Sequence, residues 1–258
     1  MQEIEFKIEG AVAHIYFNRP DKFNAFNRAM AMAMQAALDE CASNDSIRAV
    51  YIKGNGKAFC AGQDLAELVG ENAIGIDKIL SEHFNPIVAK IQALEKPVVA
   101  AVNGVAAGAG ANIALSADVV VAANSASFIQ AFSKIGLIPD SGGTYFLPRL
   151  IGHQKASALM MTGDKVSAVE AERLGMIYKV LEEENFEVAS LEIATKLAAM
   201  PTKGLALTKK ALQLSANNDV TQQLELEDTL QRVAASTADY AEGVQSFLEK
   251  RTAIFTGK

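Results

Sequence analysis

The chain opens on alternation: Ile4, Phe6 and Ile8 are separated by Glu5 and Lys7, and a second apolar run follows at Val12–Phe17. Together they predict two strands joined through Glu9-Gly10, with a turn at Asn18-Arg19-Pro20-Asp21. From Asn27 the period changes, and Met30, Met34, Ala37, Leu38 and Cys41 mark one face of a helix. Arg48–Lys53 predicts a short strand closed by Gly54-Asn55-Gly56, ahead of Ala58-Phe59-Cys60. A helix over about 77–94 stops before Pro97, because a residue preceding proline is driven out of the helical region. The run Pro97-Val-Val-Ala-Ala-Val-Asn-Gly104 is apolar almost throughout and predicts a strand buried on both faces. Small residues from Val105 to Ala111 lead into a helix through Ala117, and Val119–Ala122 is the next buried strand. Ser141–Leu150 reads as helical. Ser167-Ala-Val-Glu170 reads as a capping box for a helix ending at Gly175, followed by a strand over 176–180.

After Glu182 the strands stop, and helices are predicted over 185–200, 202–216 and 219–247. The chain is therefore α/β, with a core over 1–200 and a helical region over 201–258. No low-complexity linker separates them, so the helices are expected to pack on the core or on a partner subunit. The segments 48–62, 96–110 and 117–132 each run strand, small-residue turn, second short apolar segment. Such units suit a coiled ββα spiral as well as a doubly wound sheet, and period alone does not separate the two.

Composition narrows the function classes. Half of the 258 residues are hydrophobic, 21% are charged and the net charge is −6, which suits a globular protein and opposes binding to nucleic acid or an anionic membrane. No apolar run approaches the roughly 20 residues of a membrane span. The first ten residues lack the basic and apolar regions of a signal peptide, so a cytoplasmic setting is expected. Cys41 and Cys60 are far apart and read as small buried hydrophobes. The three histidines, His14, His83 and His153, make no zinc-ligand pattern, so no metal is expected.

Three stretches carry candidate chemistry. Gly104-Val-Ala-Ala-Gly-Ala-Gly-Ala-Asn112 puts residues without bulk at a strand-to-helix junction, where free N–H groups can hold an oxyanion or phosphate. Close helix–strand packing would use the same residues. Lys57-Ala-Phe-Cys-Ala-Gly-Gln-Asp64 allows a sharp turn that could aim the Gln63 N–H inward. Gly136-Leu-Ile-Pro-Asp-Ser-Gly-Gly143 sets Asp140 at the start of a helix, as a cap for the Gly142 or Gly143 N–H or as an acid/base.

In their order, AFCAGQDL, KPVVAAVNGVAAGAG and GLIPDSGGTYFLPRLIG resemble the crotonase (enoyl-CoA hydratase/isomerase) family, as do NRPDKFNAF, SAVEAERLGMIYKV and the terminal FLEKRTAIFTGK. The resemblance spans essentially the whole chain. It implies a ββα spiral core, a C-terminal helical region that mediates homotrimers or hexamers, and an acyl-CoA thioester substrate, coenzyme A being part of that substrate and no separate cofactor. It also implies that the thioester oxygen meets the N–H groups of Gln63 and Ala109, in segments that include Ala61, Asp64 and Gly108. Lys22 and Phe23 would border the CoA moiety, and Phe255 and Lys258 would reach it from a neighbouring subunit.

The resemblance also bears on the reaction. Family hydratases use two glutamates, and those positions hold Asn112 and Phe132 here. An amide cannot take a proton at neutral pH and phenylalanine offers nothing. The carboxylate left is Asp140, where hydratases have glycine, and one base suffices to lift a proton from one carbon and return it to another. The expected activity is thus isomerisation, by opening of a ring epoxide or by an alkene shift. Phe84, Phe128, Phe132 and Tyr145 would suit an apolar acyl pocket, or plain core packing. The alternatives are hydration, dehalogenation of an aryl-CoA or a non-catalytic binding protein. Against dehalogenation, the position of that branch's histidine holds Asn85, and the chain has no tryptophan.

Overall fold

The computed structural model describes residues 2–69 and 73–258. β1 (Ile4–Glu9) and β2 (Val12–Phe17) form the predicted hairpin, and α1 (Arg28–Ser43) follows, Asn27 capping it by accepting from the Met30 N–H. β2 is buried along its whole length because α1 and α8 (Phe186–Ala198) both pack against it.

The repeated segments become β3 (Ala49–Gly54) with β4 (Ala58–Cys60), β5 (Val98–Val102) with β6 (Val105–Ala107), and β7 (Val119–Ala123) with β8 (Ser127–Ile129). Each pair sends its first strand to a six-stranded sheet ordered β1-β2-β3-β5-β7-β10. Its second strand goes to a four-stranded sheet ordered β4-β6-β8-β9. Here β9 is Lys165–Ser167 and β10 is Lys179–Leu181. The pairings β3·β5, β5·β7, β4·β6 and β6·β8 are all parallel, so the units stack as a spiral, with one register shift between Ala58 and Cys60 in β4. β5, apolar without alternation, is buried at every residue, as a strand covered on both faces must be.

Between β4 and β5 the described residues form a 3-10 turn (Leu65–Leu68) and then α2 (Ile76–Lys78), a π-helical stretch (Ile79–Phe84) and α3 (Asn85–Ala93) in succession. Pro86 explains the wide turn. It has no N–H and its ring would press on the carbonyl four residues back. That carbonyl, of Glu82, accepts instead from Gln35 Nε2 at 2.7 Å. α4 (Ala109–Leu115), α5 (Gly143–Ile151), α6 (His153–Thr162) and α7 (Ala168–Arg173) complete the core.

Four local expectations change. The predicted helix over 219–247 is two helices, with α9 (Thr202–Ser215) before them: α10 (Val220–Ala235) and α11 (Ala238–Glu249). Thr237 breaks them by accepting the Tyr240 N–H at 3.1 Å. The strand expected over 176–180 shrinks to β10, while Met176 and Ile177 drop into the core. Only half of the capping box forms. Ser167 accepts the Glu170 N–H at 3.2 Å, but the Glu170 carboxylate pairs with Arg173 at 2.6 Å. Asp140 does not cap α5 with its side chain, as described below.

Cations tie the C-terminal helices to the core, among them Arg48 and Lys209. Arg48 donates to Thr202 Oγ1 (2.9 Å), the Met200 carbonyl (2.7 Å) and the Phe255 carbonyl (2.6 Å). Lys209 reaches from α9 to the Ile91 carbonyl at 2.7 Å and to Asp118 at 2.9 Å. Among the described residues no helix is long and apolar enough to cross a membrane.

Candidate active site

Two backbone segments face each other where β4 and β6 end. Beyond β4, Phe26 accepts the Asp64 N–H (2.8 Å) and donates to the Gly62 carbonyl (2.7 Å), stepping over Gln63. This leaves the Gln63 N–H turned to the opposite side. Beyond β6, Gly108 adopts φ +53° and ψ −128°, a region that side chains exclude, and its N–H is pinned to the Ile129 carbonyl at 2.9 Å. Ala109 then opens α4, so its N–H has no acceptor within the helix. A methyl placed on Gly62 would lie 3.0 Å from the Ala107 carbonyl and 3.6 Å from the Ala109 nitrogen. The segments carrying the two N–H groups are therefore neighbours. Phe132 closes one side: it is 6% exposed, and its ring lies 3.7 Å from where a Gly108 methyl would be.

Asp140 begins a tight turn. Ser141 (φ +51°) and Gly142 (φ +77°) are both left-handed, and the Gly143 N–H returns to the Asp140 carbonyl at 2.8 Å, as in a type I′ turn. Capping of α5 thus falls to the backbone carbonyl and leaves the carboxylate free. That carboxylate accepts from Ser141 Oγ at 2.8 Å and meets no cation among the described residues. Burial pushes its pKa above the usual carboxylate range, against the smaller pull of that hydroxyl. The turn is fixed to α4, which Ala109 opens, by Asn112, whose Nδ2 donates to the Asp140 carbonyl at 2.8 Å. Asn112 lies three residues beyond Ala109 in α4, so the helix that opens at the Ala109 N–H also holds the Asp140 turn.

The predicted CoA-bordering residues also come together. Phe23 (φ +49°) and Asn24 (φ +56°) form a second turn of left-handed residues, and the Phe23 carbonyl accepts the Ala61 N–H at 3.0 Å. Asn24, fully buried, holds this loop by donating to the Asn55 carbonyl (2.9 Å) and the Ala58 carbonyl (2.8 Å). Arg19 pairs with Asp64 at 2.9 Å, and its pull, with the Ala66 N–H, outweighs burial and keeps Asp64 below its ordinary pKa. Lys22 and Phe23 stay exposed at the rim, Phe23 at 57%. An exposed aromatic ring beside an exposed ammonium can stack on a base and pair with phosphate.

Other expected residues lie elsewhere. Tyr145 lines a cavity of about 450 Å³ with Leu115, Asp118 and Leu205, at the end of α4 away from Ala109. The Arg149 guanidinium sits 3.7 Å from its ring centroid, which holds it there. Phe255 and Lys258 lie in the tail that folds on α11, by the Arg48 end of β3. Lys22 and Phe23 lie beyond its Gly54 end, where Gly56 packs on Pro20. Within one chain they do not meet. Phe84 and Phe128, each 1% exposed, belong to the core. His83 is buried 3.5 Å from Arg28, while Asn85 is exposed on α3. The sequence reading missed Arg19, Asn24, and the pairing of Asn112 with Gln130, whose Nε2 donates to Asn112 Oδ1 at 2.8 Å.

A ββα spiral whose second strands end in two facing free N–H groups defines an α/β enzyme of the crotonase fold. The profile of the enoyl-CoA hydratase/isomerase family matches residues 7–258, and the chain belongs to that family. It is 42% identical to the 1,2-epoxyphenylacetyl-CoA isomerase of Escherichia coli K12, over 100% of both chains. It is 43% identical to a probable enoyl-CoA hydratase of Rhodobacter capsulatus, over 99% of this chain and 98% of the other. Among solved structures, the enoyl-CoA hydratase of Bacillus anthracis superposes with a TM-score of 0.95, at 34% identity and with full coverage of both chains.

Proposed function

We propose that this enzyme is an acyl-CoA isomerase in which the Gln63 and Ala109 N–H groups stabilise a thioester enolate and Asp140 moves the proton. The observation that carries the reading is the state of the Asp140 carboxylate: half-buried, without a cation partner among the described residues, and relieved of capping by its own backbone. Two aligned N–H donors stabilise an enolate oxygen by several kcal/mol, about 3 for each, and so acidify the carbon beside the carbonyl. Asp140 accepts that proton and returns it further along the conjugated system, with no net change in composition. A half-buried carboxyl whose pKa lies above the usual carboxylate range suits both halves of the transfer.

The substrate is a CoA thioester: 1,2-epoxyphenylacetyl-CoA, rearranged to the oxepin, or a 3-enoyl-CoA, rearranged to the 2-enoyl. The full-length likeness to an enzyme named for the first of these supports the epoxide. Hydration is disfavoured because Asn112 spends its amide on Asp140 and Gln130, and Phe132 walls the oxyanion site with carbon. Dehalogenation is disfavoured because Asn85 faces solvent. No separate cofactor is required, since coenzyme A arrives with the substrate. Phe247, Leu248 and Ile254, 82%, 70% and 75% exposed, give the C-terminal region an apolar face suited to a homotrimer. A neighbouring copy is also how Phe255 and Lys258 would reach a CoA site.

Mass spectrometry in D2O tests the reaction class. Incubated with the 3-enoyl-CoA or the in situ epoxide, the enzyme should rearrange the substrate, incorporate deuterium and add no water. Rapid gain of one water by a 2-enoyl-CoA would make it a hydratase. For the rim, Phe23→Ala should raise KM for CoA thioesters about five- to tenfold, from a lost stacking contact of about 1 kcal/mol, with kcat within about twofold. An unchanged KM would remove Phe23 from the CoA site.

A further inference from the structure

Beneath Asp140 lies a chain of amides that the proposed reaction does not itself use. Gln130, 2% exposed, leaves β8 at the start of a 3-10 turn and donates through Nε2 to Asn112 Oδ1 at 2.8 Å. Asn112, fully buried in α4, donates through Nδ2 to the Asp140 carbonyl at 2.8 Å. The same carbonyl takes the Gly143 N–H at 2.8 Å, so both of its lone pairs are engaged. Gly143 must be glycine for this arrangement, because any Cβ there would collide with the Asn112 carboxamide. Packing α5 this closely onto a polar side chain sacrifices a residue of apolar contact, and the geometry obtained is the aim of one turn.

We infer that Asn112, oriented by Gln130, is a positioning residue for Asp140, fixing through its backbone the direction in which the carboxylate points. This inference rests on the reading of Asp140 as the acid/base. Three physical points carry it. The Asp140 turn contains a left-handed, non-glycine Ser141, which needs outside support to persist. The amide pair supplies that support from the helix that also presents the Ala109 N–H, so base and oxyanion donors share one rigid mount. The pair is uncharged, and α4, α5 and the Gln130 turn bring no ionised group to the Asp140 carboxyl, whose partners are the Ser141 hydroxyl and backbone. A carboxylate at position 112 would instead face the Asp140 carbonyl with an acceptor and add a like charge nearby.

The test uses the full-length enzyme with three variants. Asn112→Ala should lower kcat about 10- to 100-fold, the scale of a slight misplacement of a catalytic group, with KM within about threefold. Asn112→Asp should lower kcat similarly and move the acidic limb of the kcat–pH profile upward, a shift that loss of packing alone would not cause. Gln130→Met, which keeps the volume and removes the donor, should lower kcat about three- to tenfold without moving that limb. If the Asn112 variants do not fold, Gln130→Met decides alone. Folded variants with wild-type kcat and an unmoved acidic limb would overturn the positioning role. If Asp140→Asn itself keeps its activity, it is the acid/base reading that fails, whatever the amides do.

Discussion

Asp140→Asn should cut kcat for isomerisation by about a thousandfold, within the range general acid/base groups contribute, while acyl-CoA binding holds within about threefold. The substitution is nearly isosteric, and its Oδ1 can still accept from Ser141 Oγ, so the turn should persist. A second readout is independent of activity. Because burial raises the folded-state pKa of Asp140 above its unfolded value, the native state holds that proton more tightly. The associated stability is present at low pH and is lost as pH rises from the unfolded pKa through the folded one. The asparagine variant has nothing to ionise, so its Tm should exceed that of the wild type at pH 7 and converge with it at acid pH. A variant with most of its activity and no gain in Tm would make Asp140 an ordinary turn residue.

Ala109→Pro should cost about 10²- to 10³-fold in kcat, the loss seen when one oxyanion donor is removed. Proline deletes the N–H and little else at this position. Ala109 is the first residue of α4, where proline's fixed φ suits the helix and its missing donor breaks no helical bond. Gly108, preceding it, is not in the α region that a following proline forbids. Circular dichroism and thermal melting should track the wild type, and KM should change less than kcat, because the enolate gains more from the donor than the ground-state carbonyl does. A soluble, folded variant at full activity would leave the oxyanion to other donors.

Much of this arrangement is legible in sequence because it is written in short-range patterns. The unbroken apolar run of β5, the small residues around Gly108 and the three strand–turn–strand units each follow from residues close in the chain, and their order carried the family resemblance. What stayed hidden depends on contacts between distant segments. Thr237 is an unremarkable threonine until its hydroxyl stops a helix that the apolar period alone would have run through. Pro86 sits inside a predicted helix, and only the reach of Gln35 from α1 explains how the Glu82 carbonyl is satisfied there. Tyr145 shares a helix with the Asp140 turn, yet its direction is set by α5 rotation and Arg149, which no spacing reveals. Asn112 was legible as an absent carboxylate; its positive task needed Gln130 and Asp140 brought to it from 18 and 28 residues along the chain.

The two cysteines give the molecule a built-in chemical clock. Cys41 on α1 and Cys60 at the end of β4 are both wholly enclosed, and burial pushes each thiol up to about 12, so neither presents a thiolate at neutral pH. Cys60 is sealed by Gly110, where a methyl would come within 2.6 Å of its sulfur. Alkylating reagents and mild oxidants should therefore leave the folded enzyme untouched and mark a molecule only when it opens. Comparing the labelling rates of the two thiols would separate opening between β4 and α4 from opening of α1. A bound acyl-CoA should slow the first more than the second.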